Sequence, residues 1–171
     1  KRRLYRPNQR LYVAEDRYIK LSSLYSFKDD MEKGFKNRRC TVEAVFKCDD
    51  PFFYADDIQT QSFTVSTDVT VSGYVFTIEN ISNVDVPPVI TVTASDIVDN
   101  AILQNNRNGR LSRYADPQLT SGVSVVMDSV NATVERKGAV NTINNFFGTF
   151  QHLETGSNEF VYKGKPCVIK V

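Results

Sequence analysis

The acid–base chemistry open to this chain depends on one histidine, because His152 is the only one among its 171 residues. Alternation around Phe150 and His152 places both side chains on one face of a strand, so a structural or surface histidine is favoured over a general base. The sequence contains no Gly-x-Ser-x-Gly elbow, no phosphate-binding glycine loop and no histidine pair at metal-ligand spacing. We therefore predict no catalytic residue and no enzymatic activity.

Paired carboxylates are the next groups that could do chemistry, and they occur at 29–30, 49–50 and 56–57. A glycosidase needs two carboxylates that face each other across a cleft, whereas neighbours on a strand point to opposite faces. Solvation of turns and of a helix start is the better explanation of these pairs.

The three cysteines, Cys40, Cys48 and Cys167, are too few and too scattered for a disulfide framework or a zinc site. Cys40 and Cys48 belong to one predicted strand, where they would lie about 26 Å apart, too far to bond. We predict three buried free thiols in a protein assembled in a reducing compartment, and neither a metal nor a cofactor.

Composition and charge limit the classes of partner that the chain is expected to bind. The chain is 41% apolar and 24% charged, as in a folded globular protein, and no apolar run approaches the ~18 residues that cross a bilayer, so no membrane partner is expected. Residues 1–50 carry a net charge of +5 and residues 51–171 a net charge of −4. The basic half is mixed with acids and lacks a Gly- or Ser-rich arm. Nucleic acid is therefore not an expected ligand, and charge complementarity between neighbouring subunits is favoured.

One short helix is predicted in the first half of the chain. Ser26 can cap its first amides, Asp29 follows three residues later as in a capping box, and Gly34 can close its end. These signals predict a helix of about two turns over 27–33.

The other elements of the first half are predicted to be extended. Residues 11–21 form two short runs separated by a turn at 15–16, and sharp alternation over 39–49 indicates a half-buried strand. A domain boundary is expected near 55–62, after a proline and an aromatic cluster.

Ten short β-rich runs, separated by Gly, Asn, Asp or Pro, make up the remainder. They span approximately 63–71, 74–80, 88–94, 97–104, 110–114, 123–128, 131–136, 145–153, 158–163 and 166–171. This spacing, without a long helical period, predicts an antiparallel β-sandwich or jelly roll. The fold class is thus mainly β, with the sandwich preceded by a small α+β segment that contains the one short helix.

The strongest hairpin signal is Asn108-Gly109, because a two-residue mirror-image turn needs positive φ at both positions. The register that this turn implies sets Arg107 opposite Arg110. That like-charge pair is unfavourable unless an acidic group meets it.

Five segments, in order along the chain, resemble a known family. They are the strand from Arg39 that runs into Asp50-Pro51-Phe52-Phe53-Tyr54, then Asn80, then Pro88-Val-Ile-Thr-Val-Thr93, then Val125-Val-Met-Asp128, then Gly148-x-Phe150-x-x-Leu153-x-x-Gly156-x-Asn158-x-Phe160. The order and composition of these segments resemble the distal tail proteins of long-tailed bacteriophages, whose C-terminal domain is galectin-like. The resemblance spans approximately 11 to 171.

The residues of these motifs are expected to have structural roles. Seven are singled out: Pro88, Asp128, Gly148, Phe150, Leu153, Gly156 and Asn158. Pro88 must start its strand, Gly156 supplies positive φ at a turn, and Asn158 bonds turn backbone. Asp128 accepts amides at a turn, and Phe150, Leu153 and Phe160 fill the sandwich core.

The resemblance implies a structural virion protein without a cofactor. Residues 1–58 would be the end of a ring-forming domain and residues 59–171 a galectin-like domain. Six copies would form a hub at the distal end of the tail tube, joining the tube protein to tail-tip, baseplate or receptor-binding proteins, in a virion tail assembled in the host cytoplasm. Family members usually carry a longer domain before the position of Leu11, so we expect a truncated chain or a short or split variant.

Two groups of residues are expected to bind partners. The first is Arg2, Arg3, Arg6 and Arg10, which would contact an acidic neighbour in the ring. The second lies on the hairpin over 104–121 and comprises Arg107, Arg110, Arg113 and Tyr114. Arg and Tyr are enriched in interface hot spots, so this arm would dock a tail-tip or receptor-binding protein, with a solvated loop as the alternative.

A carbohydrate-binding β-sandwich is the alternative function. Lectin sites commonly stack an aromatic ring on the sugar, and without tryptophan the candidates are Tyr74, Tyr114 and Tyr162. A galectin-like fold does not by itself bring sugar binding.

Overall fold

A computed structural model describes residues 10–15, 17–21, 23–31, 40–48, 54–55, 58–137 and 141–171. The chain divides into two compact units, Lys1–Gln59 and Thr60–Val171. Within the described residues the structure is mainly β, with antiparallel strands and one helical element, the 3₁₀ turn Ile143–Asn145. The predicted fold class is confirmed.

The described residues of the first unit form two small sheets. Its strands are β1 (Arg10–Ala14), β2 (Arg17–Lys20), β3 (Ser23–Met31), β4 (Cys40–Lys47) and β5 (Tyr54–Ala55). The order in one sheet is β1-β2-β5, and β3 pairs with β4 in the other. The two extended runs predicted within 11–21 are β1 and β2.

The helix predicted over 27–33 is wrong as far as its residues are described, because they belong to β3. Phe27 lies opposite Ala44 in an antiparallel ladder, and Asp29 lies opposite Val42. Two turns are too short to be stable as an isolated helix, whereas pairing with a strand satisfies the backbone groups along the segment. Positions 32 to 34 lie outside the described residues.

The strand predicted over 39–49 is present as β4. Phe46 and Cys48 are half-buried, as the alternation predicts, but Ala44 on the same predicted face is exposed. Cys48 and Cys167 are free thiols, as predicted, and Cys167 is fully buried in the second unit.

The second unit, over its described residues 60–137 and 141–171, forms ten strands. They are β6 (Ser62–Val65), β7 (Tyr74–Asn80), β8 (Val89–Ala94), β9 (Ala101–Asn105), β10 (Leu111–Tyr114), β11 (Ser124–Asp128), β12 (Thr133–Arg136), β13 (Phe146–Gly148), β14 (Gly156–Lys163) and β15 (Cys167–Lys170). Each of the ten predicted runs overlaps one of these strands, although β6, β9 and β14 extend one or two residues beyond their runs. The runs at 63–71 and 145–153 are longer than their strands, because the chain turns away after Val65 and after Gly148.

These strands form two five-stranded antiparallel sheets. The first sheet has the order β12-β11-β8-β15-β6, and the second sheet has the order β13-β10-β9-β14-β7. Alternating side chains bury one face of each sheet, for example Phe76 and Ile78 in β7 and Ile90 and Val92 in β8. The rings of Phe63 and Phe76, one from each sheet, lie 4.4 Å apart, so the two buried faces share one core.

The predicted hairpin joins β9 to β10, but its predicted register is wrong. Gln104 lies opposite Leu111, and Asn105 N donates to Arg110 O at 2.8 Å, so the loop contains four residues. Of the two turn residues, only Gly109 has positive φ, at +72°. A four-residue loop needs a single left-handed position, whereas the predicted mirror-image turn needs two.

Candidate interaction surface

The motif that begins at Gly148 starts at a close approach between two backbones. Gly148 ends β13 with φ at +97°, and a Cβ there would lie 2.2 Å from Leu111 O. Thr149 N donates to the same Leu111 carbonyl at 2.8 Å. This position therefore requires glycine for both its dihedral angle and its contact.

Asn158 organises the turn at the other end of the motif. Its side-chain amide donates to Glu154 O at 2.7 Å and to Gly156 O at 2.9 Å, and its Oδ1 accepts from Glu154 N at 3.0 Å. Gly156 has φ at +87°. Both residues therefore act on the backbone of this turn.

The apolar motif residues pack as predicted. Leu153 and Phe160 are buried in the core of the second unit, and Phe150 packs against it with its ring 4.6 Å from that of Phe146. Leu153 also exchanges two backbone hydrogen bonds of 2.9 Å with Val86.

Pro88 and Asp128 also occupy their predicted positions. Pro88 directly precedes β8, and its carbonyl accepts from Ser129 N at 3.1 Å. Asp128 Oδ1 accepts from the amides of Val130 and Asn131, at 2.8 and 3.0 Å. These bonds, first those from Asn131, hold the pKa of the Asp128 carboxyl below its usual range.

The hairpin loop and the motif segment form one unit, which we name the hairpin junction (residues 105–110 and 149–158). The side-chain amides of Asn105 and Asn108 both donate to His152 O, at 3.1 and 2.8 Å. Gln151, which is buried, donates to Ser112 Oγ at 2.7 Å. Hydrogen bonds from side-chain amides therefore join the hairpin to the segment that carries the family resemblance.

The hairpin arginines lie on the surface, but each contacts its own chain. Arg107 forms an ion pair of 2.9 Å with Glu154 and donates to Ser157 O at 2.7 Å. Arg110 donates to Phe150 O at 3.0 Å, and Arg113 donates to Asn100 Oδ1 at 2.8 Å. The predicted pairing of Arg107 with Arg110 does not form, and the acidic group that meets Arg107 is Glu154.

The placement expected for Tyr114 at the exposed end of the hairpin is wrong. Tyr114 is fully buried and donates to Asp116 Oδ2 at 2.8 Å. It occupies an inward position of β10, two residues from the buried Ser112. Its ring is therefore part of the core.

Asp116 links elements that belong to the two sheets. Its carboxylate accepts a hydrogen bond from the Tyr114 hydroxyl of β10. It also forms an ion pair with Arg136 Nε of β12 at 2.9 Å, although the alignment of these two groups does not make a hydrogen bond. Burial raises the pKa of Asp116, but the Gln118 amide, the Tyr114 hydroxyl and the Arg136 charge outweigh burial and keep that pKa below its usual range. No motif or alternation in the sequence marks this buried carboxylate, so sequence reasoning missed it.

The tyrosines proposed for sugar stacking do not form a stacking platform. Tyr114 and Tyr162 are fully buried. Tyr162 donates to Lys165 O at 2.9 Å, and burial, followed by the neighbouring Cys167, raises its pKa. Tyr74 is half-buried, with its ring 6.0 Å from that of Phe76.

His152 is half-buried and lies within the hairpin junction, where its backbone carbonyl accepts hydrogen bonds from two side-chain amides. In the part of the chain that the structure describes, no three His, Cys, Asp or Glu side chains are grouped to hold a metal ion.

An open cleft of about 630 Å³ lies elsewhere in the second unit, beside Asp68, Asp99 and Lys165. No helix among the described residues is long and apolar enough to cross a membrane.

The basic N-terminal residues are only partly described. Arg10 begins β1, and its guanidinium lies over the ring of Tyr18 at 4.4 Å, a cation–π distance. Arg2, Arg3 and Arg6 lie outside the described residues.

Comparison with known structures relates this arrangement to a phage protein. The chain is similar to the Dit protein (gp 19.1) of phage SPP1, a paradigm of the hub adsorption apparatus in phages that infect Gram-positive bacteria. The TM-score is 0.64 and the sequence identity is 12%. The fold resembles that of a phage tail hub. The match covers 92% of this chain and 60% of that protein, so the chain spans less than two thirds of the length of this relative.

The sequence comparisons add no further family. No family model matches the chain, and no curated protein matches it significantly. The expected resemblance to the distal tail proteins is thus confirmed as a likeness of fold.

Proposed function

We propose that this chain is a structural component of a phage or phage-like tail, acting as a hub at the distal end of the tail tube. The observation that carries the proposal is the likeness to the SPP1 hub protein, which extends over 92% of the chain and so includes residues of both units. The segment Gly148 to Phe160, which carries the family resemblance, also supports the proposal, because hydrogen bonds join it to the β9–β10 hairpin. In this role residues 1–58 contribute to a ring of six copies, and residues 59–171 form a galectin-like domain.

The ring contacts are proposed to be electrostatic in part. Arg2, Arg3, Arg6 and Arg10 belong to the half with a net charge of +5, and the other half carries −4. A closed ring joins two unlike surfaces at every contact, so opposite charges on them favour assembly. Reversing Arg2, Arg3 and Arg6 to Glu should weaken self-association, whereas unchanged assembly would reject this part of the proposal.

The hairpin is proposed to dock a tail-tip or receptor-binding protein through Arg107, Arg110 and Arg113. All three are exposed on one arm, although each also contacts its own chain. Arg110→Ala removes a surface cation and one bond to a loop carbonyl while leaving the ion pair of Arg107 in place. Unchanged affinity for the tail-tip partner in this variant would count against docking here.

The experiment that tests the whole proposal is localisation in the particle. Gold-labelled antibody against this chain, imaged on intact virions, should mark the distal end of the tail tube. Label on the capsid, or virions without the chain, would refute the proposal. The carbohydrate-binding alternative is disfavoured, because two of the three aromatic rings that could stack on a sugar are buried.

A further inference from the structure

The outer face of the second sheet carries an apolar row. Val75, Val161, Gln104 and Leu111 lie opposite one another in register across β7, β14, β9 and β10. Val75 is 58% exposed and Leu111 is 41% exposed. Three of the four aligned positions therefore present aliphatic side chains to the outside of the sandwich.

A second row lies beside the first, two residues further along each strand. It contains Lys163, Ile102, Arg113 and Phe147 from β14, β9, β10 and β13. Phe147 is 53% exposed, and the Arg113 guanidinium lies 5.7 Å from its ring centroid. We name the two rows together the outer band. Scattered exposed apolar residues are ordinary, but a contiguous group of this kind marks an interaction surface.

Charges of opposite sign flank the apolar row along β14. Lys163 lies two residues to one side of Val161, and Glu159 lies two residues to the other side, both exposed on the same face. Glu159 accepts from Asn106 Nδ2 at 2.7 Å through one of its two carboxylate oxygens. The face is therefore basic at one end, apolar in the middle and acidic at the other end.

We propose that this face binds the same face of a second copy of the chain. A two-fold axis in the plane of the contact, running across the strands along the apolar row, sets each residue of that row against its own copy. The same operation sets Lys163 of each copy against Glu159 of the other, so both ion pairs form at once. Such a contact is isologous and self-complementary in both apolar surface and charge.

The size of the face fits a weak, specific dimer. Five strands at ~4.8 Å spacing with their side chains are about 24 Å wide, and three rows extend about 20 Å along the strands. Each copy would contribute about 500 Å², and the pair about 1,000 Å², at the lower limit for a specific interface. The association should therefore depend on concentration.

Sedimentation equilibrium of the full chain over a range of concentrations tests the proposal with a matched pair of variants. Val75→Asp places a charge on the axis and should halve the mass reached by the wild type. Val89→Asp makes the same change at a valine that is 44% exposed in β8 of the first sheet, and should leave the mass unchanged. If the chain also forms a ring through another surface, Val75→Asp should reduce the mass to that of a single ring, whereas Val89→Asp should leave it as in the wild type.

Charge exchange tests the geometry independently of folding. Lys163→Glu and Glu159→Lys should each raise the dimer dissociation constant roughly tenfold, since each sets like charges against one another. The double variant Lys163→Glu, Glu159→Lys restores opposite charges and should bind as the wild type does. Equal masses for wild type and Val75→Asp, an equal effect of Val89→Asp, or failure of the double variant to restore association would each overturn the proposal.

Discussion

Gly148→Ala is the substitution whose cost follows most directly from the coordinates. Two separate penalties act at this position. A non-glycine residue at φ of +97° costs about 1–3 kcal/mol. In addition, the new Cβ would lie 2.2 Å from Leu111 O, a backbone atom that cannot rotate away.

Relieving that contact means separating β13 from β10. The hydrogen bond from Thr149 N to Leu111 O would weaken, at a cost of about 1 kcal/mol, and the displaced strand would add overpacking strain of about 1–3 kcal/mol. Together these contributions predict a loss of about 3–7 kcal/mol in the free energy of unfolding. For a domain of this size the loss lowers Tm by more than about 10 °C.

Gly109→Ala is the matched control, because the dihedral strain is similar and the contact is absent. Gly109 has φ at +72°, and a Cβ there would meet no heavy atom within 4 Å. We expect a loss of about 1–2 kcal/mol, which is the cost of the left-handed conformation alone. Calorimetric unfolding of the full-length variants measures both losses. Equal losses for Gly148→Ala and Gly109→Ala would refute the argument that the approach of β10 to β13 makes glycine necessary.

Three further predictions concern the buried polar groups. Asp116→Asn should lower the free energy of unfolding by about 2–4 kcal/mol at neutral pH, because it leaves the charge of Arg136 without its partner. The folded pKa of Asp116 is lowered, so its contribution to stability is complete above the unfolded pKa of about 3.9 and is lost as the pH falls through the folded value. The free energy of unfolding of the variant should therefore fall less steeply with decreasing pH in the acid range than that of the wild type. Gly164→Ala should cost about 1–3 kcal/mol, measured by thermal unfolding, because its Cβ would lie 2.3 Å from the hydroxyl of the buried Tyr162, and an unchanged Tm would contradict this. Asn158→Ala should speed amide exchange in the turn that its side chain bonds, while leaving exchange in the first sheet unchanged, and exchange that rises equally in both sheets would show that its role is not local.

Periodicity was sufficient to locate the strands of the second unit but not to set how they pair. Alternation along β7 and β8 reflects burial against one core, which is a property of each strand alone. The register of the β9–β10 hairpin depends on loop length, and Asn108-Gly109 is compatible with both a two-residue and a four-residue loop. The helix expected over 27–33 failed for a related reason, because capping signals are local and a partner strand outweighed them.

The partner residues were harder to predict than the motif residues, and the cause is physical. Gly148 and Asn158 act within their own segments, on dihedral angles and turn amides, so sequence spacing carries their roles. Tyr114 was misplaced because hot-spot enrichment describes residue types without stating which way a side chain points. Tyr114 is buried because it lies two residues after Ser112, whose side chain points into the core. The direction of Ser112 is established by the pairing of β10 with its neighbours.

The likeness of fold to the SPP1 protein accompanies only 12% sequence identity. Side chains that bond to backbone, such as Asn158, and glycines at close approaches, such as Gly148, constrain the fold whatever the surface binds. The exposed aliphatic side chains of Val75 and Leu111 lie outside the core, so packing of the core does not determine them. A contact surface on this domain must therefore be located from exposure and register, and apolar exposure, register and opposite charges coincide at the outer band together with Glu159.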